Sequence, residues 1–261
     1  MSAIEPFAGK YESGQASVLV TTLVADLETP VSAYLKLATG RTGTMFLLES
    51  VEGGAQRGRY SMIGLDPDLI FRSTGAHAEI NRHAAHDPDG FIPYPGKPLE
   101  ALRALLEESR IDLPQGLPPM SAGVFGYLGY DMVRQMERLP AAKPEPIGVP
   151  EALTIRPTDM VVFDSVRDEM VVVTPIRPLA GVSARAAHEA AQTRLDAVVA
   201  ALEAPLNHIQ PAVDPALLAD KATSNTTEAE FLAMVARARE YIVAGDAFQI
   251  VLSQRFTARF D

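Results

Sequence analysis

Residues 160–173 read MVVFDSVRDEMVVV, and the fold prediction begins from this segment. Two apolar runs, 160–163 and 170–173, flank a polar segment that begins with Asp164 and ends with Glu169. Valine favours extended backbone, and a short polar connection allows the second run to fold back on the first. The pattern predicts an antiparallel β-hairpin.

Upstream of the hairpin, three further segments have the composition of strands. Residues 44–51 (TMFLLESV) are mostly apolar, and residues 59–63 and 68–73 form two more candidates. Between these two lies the sequence Gly64-Leu65-Asp66-Pro67, whose glycine, aspartate and proline are typical turn residues. We therefore expect a turn there.

Helix signals separate the strand candidates. Thr29 and Pro30 form an N-cap and a first helical position, whereas Thr227 and Glu230 form a capping box in front of a helix that Gly245 closes. Two further helices are predicted to begin at Pro98 and near Ser183. Together the elements predict an α/β fold of the α+β type, in which antiparallel sheets pack with helices.

The regular pattern breaks after the helix that ends near residue 203. Prolines and polar residues follow, so we interpret residues 1–204 as one domain, 205–226 as a linker and 227–261 as the beginning of a second domain. Residues 247–260 alternate between apolar and polar side chains, which predicts a strand. Because no partner strand follows it, we expect the second domain to be incomplete in these 261 residues.

Composition excludes several classes of function. The 261 residues carry a net charge of −10 and include no cysteine, so disulfides, thiolate metal sites and cysteine nucleophiles are excluded. The acidic balance, with no basic patch, argues against binding to nucleic acid or to an anionic membrane. With no secretory signal and no apolar run of about 20 residues, we expect a cytoplasmic protein.

Most candidate sites in the sequence have ordinary explanations. His83 and His86 lie in a polar loop, which favours a surface loop over a metal site. The glycines of residues 123–131 lack the context of a nucleotide site and favour a strand with close backbone approach. The carboxylate pairs Glu107–Glu108 and Asp164–Asp168 fall on a helix surface and in a turn, where catalysis is not expected.

The segment Leu47-Leu48-Glu49-Ser50 is more informative. It ends an apolar strand with a carboxylate and a hydroxyl, which can meet an ammonium group and donate or accept a hydrogen bond. A small amino-acid ligand would fit such a site. On spacing alone, a strand that simply ends in a polar loop remains the favoured alternative.

Four blocks of sequence resemble anthranilate synthase component I, of the chorismate-utilising enzymes. They are LLES (47–50), GRYSMIG (58–64), GYLGYD (126–131) and IVAGDAFQIVLSQRF (242–256), and they occur in the family's order. The last is similar to the entry of the family's chorismate-binding domain. The chain therefore resembles the regulatory N-terminal domain of the family plus the first helix and strand of its catalytic domain.

The resemblance implies a function. Members of the family convert chorismate and ammonia into anthranilate and pyruvate, the first committed step of tryptophan synthesis. Ammonia comes from a glutamine amidotransferase subunit, Mg²⁺ holds the substrate, and L-tryptophan inhibits the enzyme. By motif position, Ser50 and Glu49 would hold the head group of tryptophan, with Leu48 and Pro30 near its indole.

The family's magnesium carboxylates and catalytic residues follow the last matching block. The resemblance thus implies no catalytic residue and no metal ligand in this chain, and we expect these 261 residues to be inactive alone. Two alternatives stay open: aminodeoxychorismate synthase component I, a relative that leads to folate, and a non-catalytic regulatory module that binds tryptophan.

Overall fold

The computed structural model describes residues 4–52, 56–140, 147–206 and 222–258. The chain divides into two units, Met1–Asn207 and His208–Asp261. This division falls within the predicted linker 205–226, of which residues 207–221 lie outside the described ranges. The regulatory and catalytic roles of the two domains stay predictions.

The first unit consists of helices on an antiparallel sheet. Its helices are α1 (Ile4–Glu12), α2 (Pro30–Ala38), α3 (Pro98–Glu108), a 3₁₀ helix (Tyr130–Gln135) and α4 (Ala184–Glu203). Its strands are β1 (Ser17–Val24), β2 (Met45–Glu52), β3 (Gln56–Thr74), β4 (His77–Asn81), β5 (Ile92–Tyr94), β6 (Phe125–Leu128), β7 (Ala152–Asp164) and β8 (Glu169–Ile176). The predicted class, antiparallel sheets packed with helices, is confirmed.

The long strands β3 and β7 hold the sheet together. The strand order is β1-β8-β7-β3-β4-β5, with β2 paired to the first part of β3 and β6 paired to the first part of β7. The predicted hairpin is β7–β8, in which Met160 pairs with Val173 and Asp164 with Glu169. That prediction is confirmed.

The predicted turn at residues 64–67 is wrong. Strand β3 runs through it, because β7 offers backbone partners on both sides: Leu65 pairs with Asp159 and Leu69 with Arg156. The turn residues instead produce a register shift between Pro67 and Leu69, and Asp66 has a φ of 43°. The glycine, aspartate and proline here form a β-bulge that bends one strand rather than separating two.

The helix predictions are confirmed, together with their caps. The Thr29 hydroxyl accepts a hydrogen bond from the Ser32 amide at 3.1 Å, and α3 begins at Pro98. Ser183 caps α4. The strand with close backbone approach is β6, since a Cβ on Gly126 would lie 2.0 Å from the Leu153 carbonyl oxygen.

Separate apolar clusters fill the two ends of the sheet. Helices α2 and α4 cover the end near the β7–β8 hairpin, where the largest buried side chains include Leu37, Ile63 and Val172. Helix α3 covers the other end, where Phe71 and Leu105 are fully buried. The bulge in β3 lies between these two clusters, since Ile63 belongs to the first and Phe71 to the second.

The second unit contains the helix α5 (Glu228–Ala244) and two short strands, β9 (Thr223–Ser224) and β10 (Phe256–Thr257), which pair with each other. Helix α5 has the predicted capping box and ends at Gly245 with a φ of 82°. The strand predicted for residues 247–260 is wrong beyond this pair, and residues 259–260 lie outside the described ranges. Phe248 is 95% exposed, so the alternation of apolar and polar side chains in this segment does not produce a buried face among the described residues.

Candidate functional site

The end of β2 carries the two polar residues of the LLES segment. In a regular strand Glu49 and Ser50 would point to opposite faces of the sheet. Here the pairing with β3 shifts register between Glu49 and Val51, because Glu49 pairs with Ser61 whereas Val51 pairs with Arg57. This bulge turns Glu49 and Ser50 toward the same cleft.

The cleft has a volume of about 380 Å³ and lies at the end of the sheet covered by α2. Four segments form its walls: the β1–α2 connection, the end of β2, the first part of β3 and the β7–β8 turn. The lining residues are Ala25, Asp26, Glu28, Thr29, Pro30, Glu49, Ser50, Gly58, Arg59, Ser61, Phe163, Asp164, Ser165 and Asp168. A site of this size fits a small ligand.

Of the four predicted ligand residues, three meet in this cleft. Pro30 opens α2 on one side, while Glu49 and Ser50 lie on the other. Leu48 does not line the cleft; it is 47% exposed on β2. The cleft therefore joins Pro30, Glu49 and Ser50 but leaves Leu48 outside.

Gly58 fixes the position of Ser50. A Cβ built on Gly58 would lie 2.1 Å from the Ser50 hydroxyl oxygen and 2.9 Å from the Ser50 carbonyl carbon. The Ser50 side chain thus occupies the space that any other residue at position 58 would fill. Only glycine allows this approach without displacing Ser50.

An ion pair between Arg59 and Asp164 forms the opposite part of the cleft. The guanidinium donates to both carboxylate oxygens, with Nη2 to Oδ2 at 2.8 Å and Nε to Oδ1 at 3.1 Å. The Val166 amide donates to the same carboxylate at 3.1 Å. The hydrogen bonds from Arg59, followed by the amide and the Arg59 charge, outweigh burial and hold the pKa of Asp164 below its ordinary value.

We expect Asp164→Asn to lower the free energy of unfolding by about 1–2 kcal/mol at pH 7. The effect is limited because the Arg59 side chain is 45% exposed, and solvent screens its charge. A carboxyl whose folded-state pKa is depressed stabilises the fold above its unfolded pKa, and this contribution is lost as the pH falls through the folded pKa. The difference between Asp164→Asn and the unchanged chain should therefore shrink below about pH 4. Urea denaturation at about pH 7, 4 and 2.5 measures this difference in the free energy of unfolding.

Arg59→Gln provides the matched comparison, because it removes the other partner. The double variant should lower the free energy of unfolding by less than the sum of the losses in the two single variants. A difference that stays constant from pH 7 to pH 2.5 would contradict the assignment of this carboxylate to the ion pair.

Negative charge dominates the cleft. Among the described residues that line it, five are carboxylates and one, Arg59, is a cation. Asp164 is neutralised by Arg59, and Glu28 by an ion pair with Lys36, which also donates to the Leu202 carbonyl at 2.9 Å. Glu49 has no ion pair within the described ranges, so its carboxylate is available to an ammonium group.

Sequence reasoning missed the partners of these residues in space. The sequence predicts Asp164 and Asp168 as turn residues, and in the structure both also line the cleft. Asp168 has a φ of 52°, and its backbone carbonyl accepts a hydrogen bond from the Ala25 amide at 2.8 Å, which ties the β7–β8 turn to the β1–α2 connection. The carboxylates of this hairpin turn are visible in the sequence. The spacing of residues does not show that the turn contacts the β1–α2 connection, which lies about 140 positions upstream.

Neither a metal centre nor a membrane span is found in the part of the chain that the structure describes. No three histidine, aspartate or glutamate side chains there are grouped so that they could hold a metal ion. No described helix combines the length and the apolar character needed to cross a bilayer. His83 and His86 lie in a turn region after β4.

Residues 47–261 match the family model described as chorismate binding enzyme. Among curated proteins, the chain is 46% identical over 261 residues to anthranilate synthase component 1 of Cereibacter sphaeroides, covering all of this chain and 52% of that protein. It is 37% identical over 245 residues to anthranilate synthase component 1 of Synechocystis sp., covering 90% of this chain and 47% of that protein. The chain spans about half the length of these curated relatives.

A solved structure has the same fold. The crystal structure of anthranilate synthase component I from Streptococcus pneumoniae TIGR4 aligns with a TM-score of 0.58 and 21% identity, covering 92% of this chain and 49% of that one. The family match covers most of the chain and includes Glu49 and Ser50. The chain therefore belongs to the chorismate-binding enzyme family, and its relatives within that family include anthranilate synthase component 1.

Proposed function

We propose that this chain is part of an anthranilate synthase component I, which converts chorismate and ammonia into anthranilate and pyruvate in tryptophan synthesis. The identity of 46% to a relative of that name, over the whole chain, supports this assignment over aminodeoxychorismate synthase. In the proposal, a glutamine amidotransferase subunit supplies the ammonia and the protein acts in the cytoplasm.

We further propose that the cleft beside Ser50 binds L-tryptophan as an inhibitor. The observation that carries this proposal is that Pro30, Glu49 and Ser50 share one cleft of about 380 Å³. The Glu49 carboxylate, which has no ion pair among the described residues, suits the α-ammonium group, and the Ser50 hydroxyl suits the α-carboxylate. Pro30 and Phe163 offer apolar surface to the indole. Support for Leu48 is limited to its place in the motif, since it does not line the cleft.

The chemistry on chorismate is proposed to depend on residues outside this chain. Magnesium would hold the substrate carboxylate in the whole protein. The described residues do not fit this ion, because they include no group of three candidate ligands. A fluorescence assay with chorismate, ammonium and Mg²⁺ should detect no anthranilate from the 261 residues alone. Formation of anthranilate by these residues alone would contradict the proposal that the chemistry depends on residues outside this chain.

Calorimetric titration with L-tryptophan tests the cleft. We expect weak, saturable binding, and Ser50→Ala should weaken it at least about tenfold, since one hydrogen bond to a charged group contributes about 1.5 kcal/mol or more. The matched control is Ser13→Ala, because Ser13 is exposed and donates to the Lys10 carbonyl far from the cleft.

Two comparisons make the test specific. D-tryptophan should bind more weakly, because inversion of the α-carbon moves one of its two charged groups away from its partner. Equal affinity of Ser50→Ala and the unchanged chain for L-tryptophan would contradict the proposed site, whatever the reaction of the whole protein.

A further inference from the structure

A second cleft, of about 360 Å³, lies in the first unit between β8 and α4. One wall is a row of small side chains on α4, formed by Ala186, Ala187 and Ala190. The other wall is the end of β8, where Arg177 follows Ile176. Apolar atoms thus line most of the cleft, and its charged lining residues are Arg177, Arg194 and Asp68. Such an arrangement is typical of pockets for small organic ions.

The charged groups around this cleft are paired with one another. Arg156 donates to both oxygens of Asp68, at 2.8 and 3.0 Å. The Glu108 carboxylate accepts two hydrogen bonds from Arg82, each of 2.6 Å. Within this group the carboxylates are therefore already satisfied.

Asp159 is satisfied in the same way at the other side of the cleft. It accepts hydrogen bonds from the Thr174 hydroxyl at 2.6 Å and from the Thr158 hydroxyl at 3.0 Å. Its second oxygen lies 3.5 Å from Nε of Arg194. Arg194 therefore also has an anionic neighbour.

Arg177 differs from Arg194. The Nε atom of Arg194 is also buried without a hydrogen bond, but Arg194 has Asp159 beside it and donates from Nη2 to the Pro175 carbonyl at 3.3 Å. The Nε and Nη2 atoms of Arg177 are buried, and Arg177 makes no hydrogen bond or ion pair with any residue in the described ranges.

Burial, followed by the positive charge of Arg156, lowers the pKa of Arg177 to about 10, although Asp68 and Glu108 act in the opposite direction. A guanidinium without a partner in a partly buried position is costly, and an anion would offset that cost.

We propose that this cleft binds a small organic carboxylate, with its anionic group on Arg177 and its apolar body against the alanine row of α4. The guanidinium fork matches a carboxylate, and the paired state of Asp68 removes the competing carboxylate. The cleft is distinct from the one beside Ser50, with which it shares no lining residue.

Benzoate and its neutral analogue benzamide test the proposal by calorimetry on the 261-residue chain. Benzoate should bind, benzamide should bind at least tenfold more weakly, and inorganic phosphate should bind more weakly than benzoate because it has no apolar body. Arg177→Met should reduce the affinity for benzoate at least tenfold, whereas Arg177→Lys should have an intermediate effect. Arg185→Met is the control, since Arg185 lies on α4, which forms the other wall of the cleft, but is exposed and paired with Glu189.

A second measurement keeps the test independent of folding defects. Without a ligand, Arg177→Met should unfold at the same temperature as the unchanged chain or at a higher one, because it removes an unpaired cation. Benzoate should raise the unfolding temperature of the unchanged chain and not that of the variant. Equal binding of benzoate and benzamide, or benzoate binding that survives Arg177→Met and is lost in Ser50→Ala, would overturn the proposal.

Discussion

Phe71→Ala is expected to lower the free energy of unfolding by about 3–5 kcal/mol, because the deletion leaves a cavity that its neighbours cannot fill. Phe71 is fully buried in β3 and belongs to the cluster under α3 with Leu69, Ile80 and Leu105. Its ring also meets Tyr94 edge to face at 6.4 Å. Urea denaturation followed by circular dichroism measures the change.

Phe248→Ala is the matched control, because it deletes the same side chain at a position that is 95% exposed. Its effect on stability should stay within about 0.5 kcal/mol. The Phe71 variant should also leave the cleft beside Ser50 intact, since that cleft lies at the other end of the sheet. A loss below 1 kcal/mol would mean that α3 does not close this core.

Local signals explain why so much of the fold is predictable. The valine runs around residues 164–169 specify a hairpin without help from the rest of the chain, since both strands and the connection are consecutive. Thr29 and Thr227 likewise cap helices through hydrogen bonds to residues three positions away. Such interactions depend on sequence neighbours alone.

Long-range pairing explains the two wrong predictions. The residues 64–67 have turn chemistry, but β7 supplies partners about 90 positions away on both sides of them, and the ladder keeps the strand continuous. Residues 247–260 have the opposite difficulty: their alternation suits a strand, yet only Phe256 and Thr257 find partners among the described residues. A strand requires a neighbouring strand, which local pattern cannot specify.

The candidate site divides in the same way. Glu49 and Ser50 are recognisable from the motif, but the bulge that turns both toward one cleft depends on pairing with β3. The ion pair of Arg59 with Asp164 joins residues 105 positions apart. The chemical character of each site residue can therefore be predicted from the sequence. Which of these residues lie together in one cleft depends on the fold.

Gly58→Ala is expected to weaken L-tryptophan binding about 100-fold, if the cleft binds tryptophan as proposed. The added methyl group would overlap the Ser50 hydroxyl at 2.1 Å and approach its carbonyl carbon to 2.9 Å. Because the second contact involves backbone, rotation of the Ser50 side chain does not relieve it, and Glu49 must move as well. Loss of both head-group contacts corresponds to about 3 kcal/mol, which calorimetry detects as loss of measurable binding.

Gly9→Ala is the control for adding a methyl group to glycine. Gly9 lies in α1 with no atom within 4 Å of the new Cβ, so the change should leave binding unchanged and favour the helix by about 0.5–1 kcal/mol. Gly58→Ala should weaken binding more than Ser50→Ala, because it displaces the backbone as well as one hydroxyl. If the two variants had equal effects, the role of Gly58 would be confined to the Ser50 side chain, and Glu49 would not depend on the bulge for its position.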